Sequence, residues 1–154
     1  MAKEKQNDRL ERSPIHLLHR AGQCATDVFQ SEMAKGELTP RQFAVLSTVS
    51  VNEGLSQTDL VDLTGIDRST LADIIRRMLK KGLLQRKRTK EDARAYAVRL
   101  TEDGRRMLKT AEPMAKRVDC RILSALSANR ADKFMDDLHT IVRALGIADE
   151  PAGR

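Results

Sequence analysis

Apolar residues return at Leu71, Ile74, Ile75, Met78 and Leu79, the spacing of a helix with one buried stripe. Asp67 is placed to cap its start by accepting from the free amides of the first turn, and Gly82 stops it just after Lys80 and Lys81, whose charge suits the negative end of the helix dipole. Upstream, Ser56-Gln57-Thr58-Asp59 has the form of a capping box with Asp in the acceptor position. Leu60, Val61 and Leu63 then offer one face to the core before Thr64-Gly65 turns the chain. A helix, a glycine-containing turn and a second helix form the pair that reads duplex DNA, the second member entering the major groove. Past Gly82 the period becomes two. Leu84, Arg86 and Arg88 alternate with Gln85 and Lys87, and Tyr96, Val98 and Leu100 alternate with Ala97 and Arg99, which predicts two strands joined by the polar tip Thr89 to Arg94. That hairpin is a wing.

The flanking segments read as helices. Ser13-Pro14 is an N-cap followed by proline at the first helical position, and Ile15, Leu18, Ala21, Ala25, Val28, Phe29 and Met33 continue near one face to about Lys35, with Gly36 as the stop. About 33 Å of helix at the standard rise is more than a small winged domain covers, so another subunit is expected against it. Thr39-Pro40 repeats the signal, with Phe43, Val45, Leu46, Val49 and Val51 inward as far as Glu53-Gly54. Thr101 caps a helix carrying Met107, Leu108, Ala111, Ala115, Val118, Ile122 and Leu126, with a bend expected near Pro113 because the apolar phase resumes beyond it. Ser127 caps a last helix with Ala131, Phe134, Leu138, Ile141, Val142 and Leu145 inward. The predicted fold is mainly α (α+β): a winged helix-turn-helix over 38–100, long dimerisation helices over 13–36 and 101–146 within one domain over 13–148, a charged flexible arm over 1–12 and a loose tail over 149–154.

Charge turns this architecture into a function. From Asp67 to Arg99 the chain holds eleven Lys or Arg against four Asp or Glu, a net +7 that leaves −1 for the remainder of a chain whose total is +6. Clustering on one helix face and one hairpin is the footprint of a phosphate-binding surface. The candidate DNA-binding residues are Arg68, Ser69, Thr70, Asp73, Arg76, Arg77 and Lys80 on the helix and Arg86, Arg88, Lys90, Asp92 and Arg94 on the wing. Aromatic residues are Phe29, Phe43, Phe134 and Tyr96 alone, too few for base stacking on single strands, so duplex DNA is favoured. No apolar run approaches the roughly 20 residues of a membrane span, and a cytoplasmic location is expected.

In these same residues the chain resembles the MarR family of winged-helix transcription regulators. The likeness rests on LADIIRRMLKKGLLQR from Leu71, the wing's Asp92-Ala93-Arg94 and Leu100-Thr101-Glu102-Asp103-Gly104, which follow the family's recognition helix, D-x-R wing and L-T-x-x-G turn in order and spacing. The resemblance implies a homodimer on a pseudo-palindromic operator, released by a small molecule or an oxidant. It further implies that Asp92 holds the wing and Arg94 enters the minor groove. Ala72-Asp73 replaces the family's common Thr-Arg pair, so base contacts do not transfer to those positions. Asp73 has two readings: an acceptor for a cytosine amino group, or an anchor that orients Arg76 and Arg77.

Effector pockets of the resembled family lie between the long helices and the winged unit, which makes His16, His19, Arg20 and Gln23 candidates for holding an aromatic or acyl carboxylate. His16 and His19, one turn apart, are also compatible with exposed positions or with a metal pair lacking a third ligand. Cys24 reads either as a small packed hydrophobe or as an oxidant-sensing thiol beside Arg20, and Cys120 as packing. No metal, disulfide or cofactor is expected. The absence of a Gly-rich phosphate loop or a serine elbow argues against an enzyme. The alternatives kept open are thiol sensing through Cys24 and a winged helix used only to bind proteins.

Overall fold

Ser13 and Thr39 start their helices in the same manner, each with an extended backbone, a side-chain oxygen accepting from the amide three residues on, and a proline opening the helix. In this computed structural model, which describes residues 8–33, 37–52, 54–88 and 96–146, they lead α1 (Pro14–Glu32) and α2 (Pro40–Val51). A helical turn over 8–11 precedes α1, closed by an Asp8–Arg12 ion pair at 3.3 Å.

The predicted reading pair is α3 (Gln57–Thr64) and α4 (Arg68–Lys80). At α3 the Ser56 hydroxyl accepts from the Asp59 amide at 3.1 Å while the Asp59 carboxylate accepts from the Ser56 amide at 2.8 Å, so two orphan donors are satisfied reciprocally. Gly65 closes α3 in the left-handed region at φ +68°, a conformation open to glycine without strain. Asp67 caps α4: its carboxylate accepts from the Thr70 amide at 3.1 Å and the Ser69 hydroxyl at 2.9 Å. At the other end Gly82 (φ +74°) donates to Leu79 and Leu83 donates to Met78, both at 3.0 Å, the paired bonds of a Schellman stop.

Strands β1 (Leu84–Arg88) and β2 (Tyr96–Leu100) pair antiparallel in a register running from Leu84 opposite Leu100 to Arg88 opposite Tyr96. A bridge not visible in the sequence adds Leu55, whose carbonyl accepts from the Val98 amide at 2.8 Å. The core is centred in the winged unit, where Val45, Leu46, Leu60, Leu71, Ile75, Met78 and Val98 are fully buried, and it continues to Phe29 and Met33 on one side and to Leu108, Ala111 and Val118 on the other. Burial of each such side chain contributes about 1.5–3 kcal/mol.

Helix α5 (Glu102–Leu123) grows out of β2, and α6 (Ala128–Gly146) follows. Thr101 joins three elements. Its amide donates to the Leu83 carbonyl at 3.1 Å, and its hydroxyl donates to the Gly82 carbonyl at 2.6 Å while accepting from the Gly104 amide at 3.0 Å. Further along, α5 packs on α1, where Glu32 accepts from Arg117 at 3.2 Å and Arg121 at 3.1 Å. These bonds, Arg117's first, hold the Glu32 carboxyl below its ordinary range.

Several expectations require correction. Helix α1 ends at Glu32, because Met33 turns to extended backbone and enters the core; Lys35 and Gly36 lie outside the described residues. Val51 and Leu63 are exposed, at 79% and 58%, since each lies at the end of a helix that has run past the core. Helix α5 stops before Leu126, although it does continue past Pro113 as the resumed apolar phase predicted. At α6 the Ser127 carbonyl accepts from Arg130 and Ala131, but its hydroxyl is bound to the Asn129 side chain and does not cap. No described residue of α6 is buried: Phe134, Ile141, Val142 and Leu145 are exposed, because among the described residues no element packs closely enough on this helix to bury them.

Candidate nucleic-acid interface and effector hollow

Helix α4 buries Leu71, Ile74, Ile75 and Met78, and this stripe turns the opposite side outward. Arg68, Ser69, Arg76, Arg77 and Lys80 are exposed, with Thr70 and Asp73 half-buried among them. Asp73 accepts from both following arginines, bonding Arg76 through one oxygen and Arg77 Nε at 2.9 Å through the other. The Arg76 bond is the main cause holding the Asp73 carboxyl below its ordinary range. Two flexible guanidinium groups therefore hang from one carboxylate, the arrangement the orienting reading of Asp73 requires.

On the wing, Arg86 donates to Gln57 Oε1 at 2.9 Å, tying β1 to the first turn of α3. The Arg88 guanidinium lies over the Tyr96 ring, 5.8 Å from its centre, which braces the two strands where they part. Lys90, Asp92 and Arg94 lie outside the described residues.

Three adjoining hollows run along the seam between α1 and α2. The first, lined by His19, Gln23, Thr26 and Arg41, opens to solvent. A second, of about 360 Å³, is apolar and bounded by Phe29, Phe43, Val118 and Ile122. The third, of about 520 Å³, is bounded by Thr26, Gln30 and Arg41 on one side and by Thr70, Asp73, Ile74 and Arg77 of α4 on the other. Thr26 lines all three. A charged mouth leading to an apolar chamber suits a small organic anion.

Of the four residues expected to hold an effector, His19 and Gln23 reach the hollows, although Gln23 also donates to Asp27 at 2.9 Å. His16 is half-buried, and His16 and Arg20 line none of these hollows. Among the described residues no third ligand joins the histidines as a metal group. Sequence reading missed Arg41; an arginine beside a helix-opening proline carries no signal until α1 is laid against α2. Cys24 and Cys120 are free and exposed, so the packed reading of both fails within this chain.

Residues 37–95 match the sequence profile of the MarR family. The transcriptional regulator HosA of Escherichia coli is 32% identical over 126 residues, covering 82% of this chain and 92% of HosA. The chain belongs to the MarR family. It is a DNA-binding transcriptional regulator and not an enzyme. Two solved proteins share its fold. PcaV of Streptomyces coelicolor, in complex with its natural ligand, superposes with a TM-score of 0.82 at 30% identity, covering 88% of this chain and 95% of PcaV. BpsR of Bordetella bronchiseptica, whose DNA binding is regulated by 6-hydroxynicotinic acid, gives 0.76 at 29% identity, covering 82% and 96%. Within this MarR-family frame α3 and α4 form the helix-turn-helix and the β1–β2 hairpin the wing. Among the described residues no helix is long and apolar enough to cross a membrane.

Proposed function

We propose that the protein is a homodimeric repressor that holds a pseudo-palindromic operator and lets go when an aromatic or acyl carboxylate enters the seam between α1 and α2. The observation that carries this reading is the double membership of Asp73 and Arg77. Both lie on the outward side of α4, where DNA would be read, and both line the hollow that Arg41 and Thr26 close from the other side. An anion attracted to Arg41 competes for Arg77 and breaks the order that Asp73 imposes on the reading face. Arg68, Ser69, Thr70, Arg76 and Lys80 would meet the major groove, Arg86 and Arg88 the backbone, and Lys90 and Arg94 the wing's groove, with Asp92 holding the tip. His19 and Gln23 would guard the hollow's mouth. The aromatic carboxylate named for BpsR supports the ligand class.

The test is binding to DNA from beside the protein's own gene, followed by anisotropy with and without benzoate, salicylate or 6-hydroxynicotinate. A ligand of this class should release the wild-type protein, and Arg41→Gln should keep DNA affinity while losing the response. An Arg41→Gln variant that still responds fully removes the seam from the reading. Exposure of Cys24 favours one second reading, control by oxidation. Loss of DNA binding on hydroperoxide treatment that Cys24→Ser prevents would establish it.

A further inference from the structure

A fourth hollow, of about 490 Å³, lies between the hairpin, the end of α2 and the first turns of α5, and it shares no lining residue with the seam. Its floor is apolar: Val49, Leu100 and Leu108 are all buried. Its rim carries Lys87, Arg99, Arg105 and Lys109 against the single acid Glu112. The strand register makes this a forced gathering of like charge. Lys87 stands opposite Ala97 and Gln85 opposite Arg99, so Lys87 and Arg99 are diagonal neighbours on one face of the sheet. Arg105 and Lys109 are likewise one helical turn apart on α5, a spacing that disfavours equal charges.

Glu102 answers Arg105 at 3.2 Å, but among the described residues no carboxylate pairs with Lys87, Arg99 or Lys109. One atom is more telling. The Nε–H of Arg99 is completely buried and has no acceptor. Buried donors are almost always satisfied, and a charged donor left without an acceptor is costly. An anion bound in the hollow against the accessible part of the Arg99 guanidinium would relieve the repulsion around it.

We infer that this hollow is a second ligand site of the regulator, taking a small organic anion whose carboxylate or phosphate monoester is held by Arg99 and Lys109 and whose apolar body lies on Val49, Leu100 and Leu108. The occupant also faces Lys87, on the strand that leads into the wing, so its charge reduces the positive field that the wing root offers to DNA. This second site is independent of the seam and of its effector.

Nitrogen-15 labelling of arginine in the full-length protein makes the Nε–H groups visible, and Arg99→Lys identifies the Arg99 signal by its loss. Benzoate, phenyl phosphate and inorganic phosphate are titrated separately at millimolar concentration. Saturable movement of the Arg99 signal is expected with benzoate or phenyl phosphate, the more effective probe distinguishing a carboxylate site from a phosphate-monoester site. Lys109→Gln, checked for wild-type circular dichroism, should weaken that binding about tenfold or more, the worth of one charge-assisted hydrogen bond. Arg41→Gln should leave it unchanged. No saturable movement with either organic anion overturns the inference, as does equal saturation by inorganic phosphate or an affinity that Lys109→Gln does not alter.

Discussion

A Cβ on Gly104 would lie 2.1 Å from the carbonyl oxygen of Leu83, so the first turn of α5 rests directly on the backbone that leaves α4. The obstacle is main chain and cannot swing aside. Gly104 thereby sets the distance between α5 and the winged unit, and Thr101 locks it by bonding Gly82, Leu83 and Gly104 at once. This is the physical content of the L-T-x-x-G sequence.

Gly104→Ala should destabilise the protein by about 1–3 kcal/mol, the usual cost of overpacking. The helix-propensity gain of about 0.5–1 kcal/mol from replacing glycine is too small to reverse the sign. Urea denaturation measures the difference, and a variant as stable as wild type would show that α5 can shift without cost.

Asp73→Ala should weaken specific binding at several neighbouring base pairs, because it frees both Arg76 and Arg77. The opposite reading, a cytosine contact, predicts relaxation at a single base pair worth about 1–3 kcal/mol. Site selection from random DNA separates the two, and unchanged preferences would exclude both.

The outward apolar face of α6 has a direct consequence for assembly. Val142 and Leu145 are 66% and 71% exposed, and an isologous contact between two copies would cover them. Val142→Asp together with Leu145→Asp should shift the protein to monomer in sedimentation and reduce operator affinity steeply. A double variant that sediments as wild type would place the dimer contact elsewhere.

The cap of α4 makes stability depend on acid. Thr70, through its side chain and amide, and the Ser69 hydroxyl hold the Asp67 carboxyl at about 2 against an ordinary 3.8. A carboxyl lowered on folding contributes stability that is complete above the unfolded value and is lost as pH falls toward the folded one. Wild-type stability should therefore drop between about pH 5 and pH 2. Asp67→Asn, which keeps an N-capping side chain, should flatten this fall while changing little at neutral pH. Thermal melts across that range measure it, and parallel profiles would assign the acid sensitivity to other carboxyls.

Local chemistry was legible in the sequence. Ser13, Thr39, Ser56, Asp67 and Thr101 all cap as their spacing predicts, because a cap is a bond between residues three apart and needs nothing distant. The strands too fall at Leu84–Arg88 and Tyr96–Leu100, where the period of two placed them. Periodicity likewise identified the apolar faces of α1 and α6, but a pattern states that a face is to be covered and not by which chain. Only the tertiary structure leaves α6 exposed, brings Glu32 to Arg117 and Arg121 across 85 and 89 residues, and sets Arg41 and His19 around one hollow. It also decides which cations remain unanswered: Lys87 and Arg99 become neighbours through strand register, and Lys109 joins them through the packing of α5, contacts whose geometry no local spacing encodes.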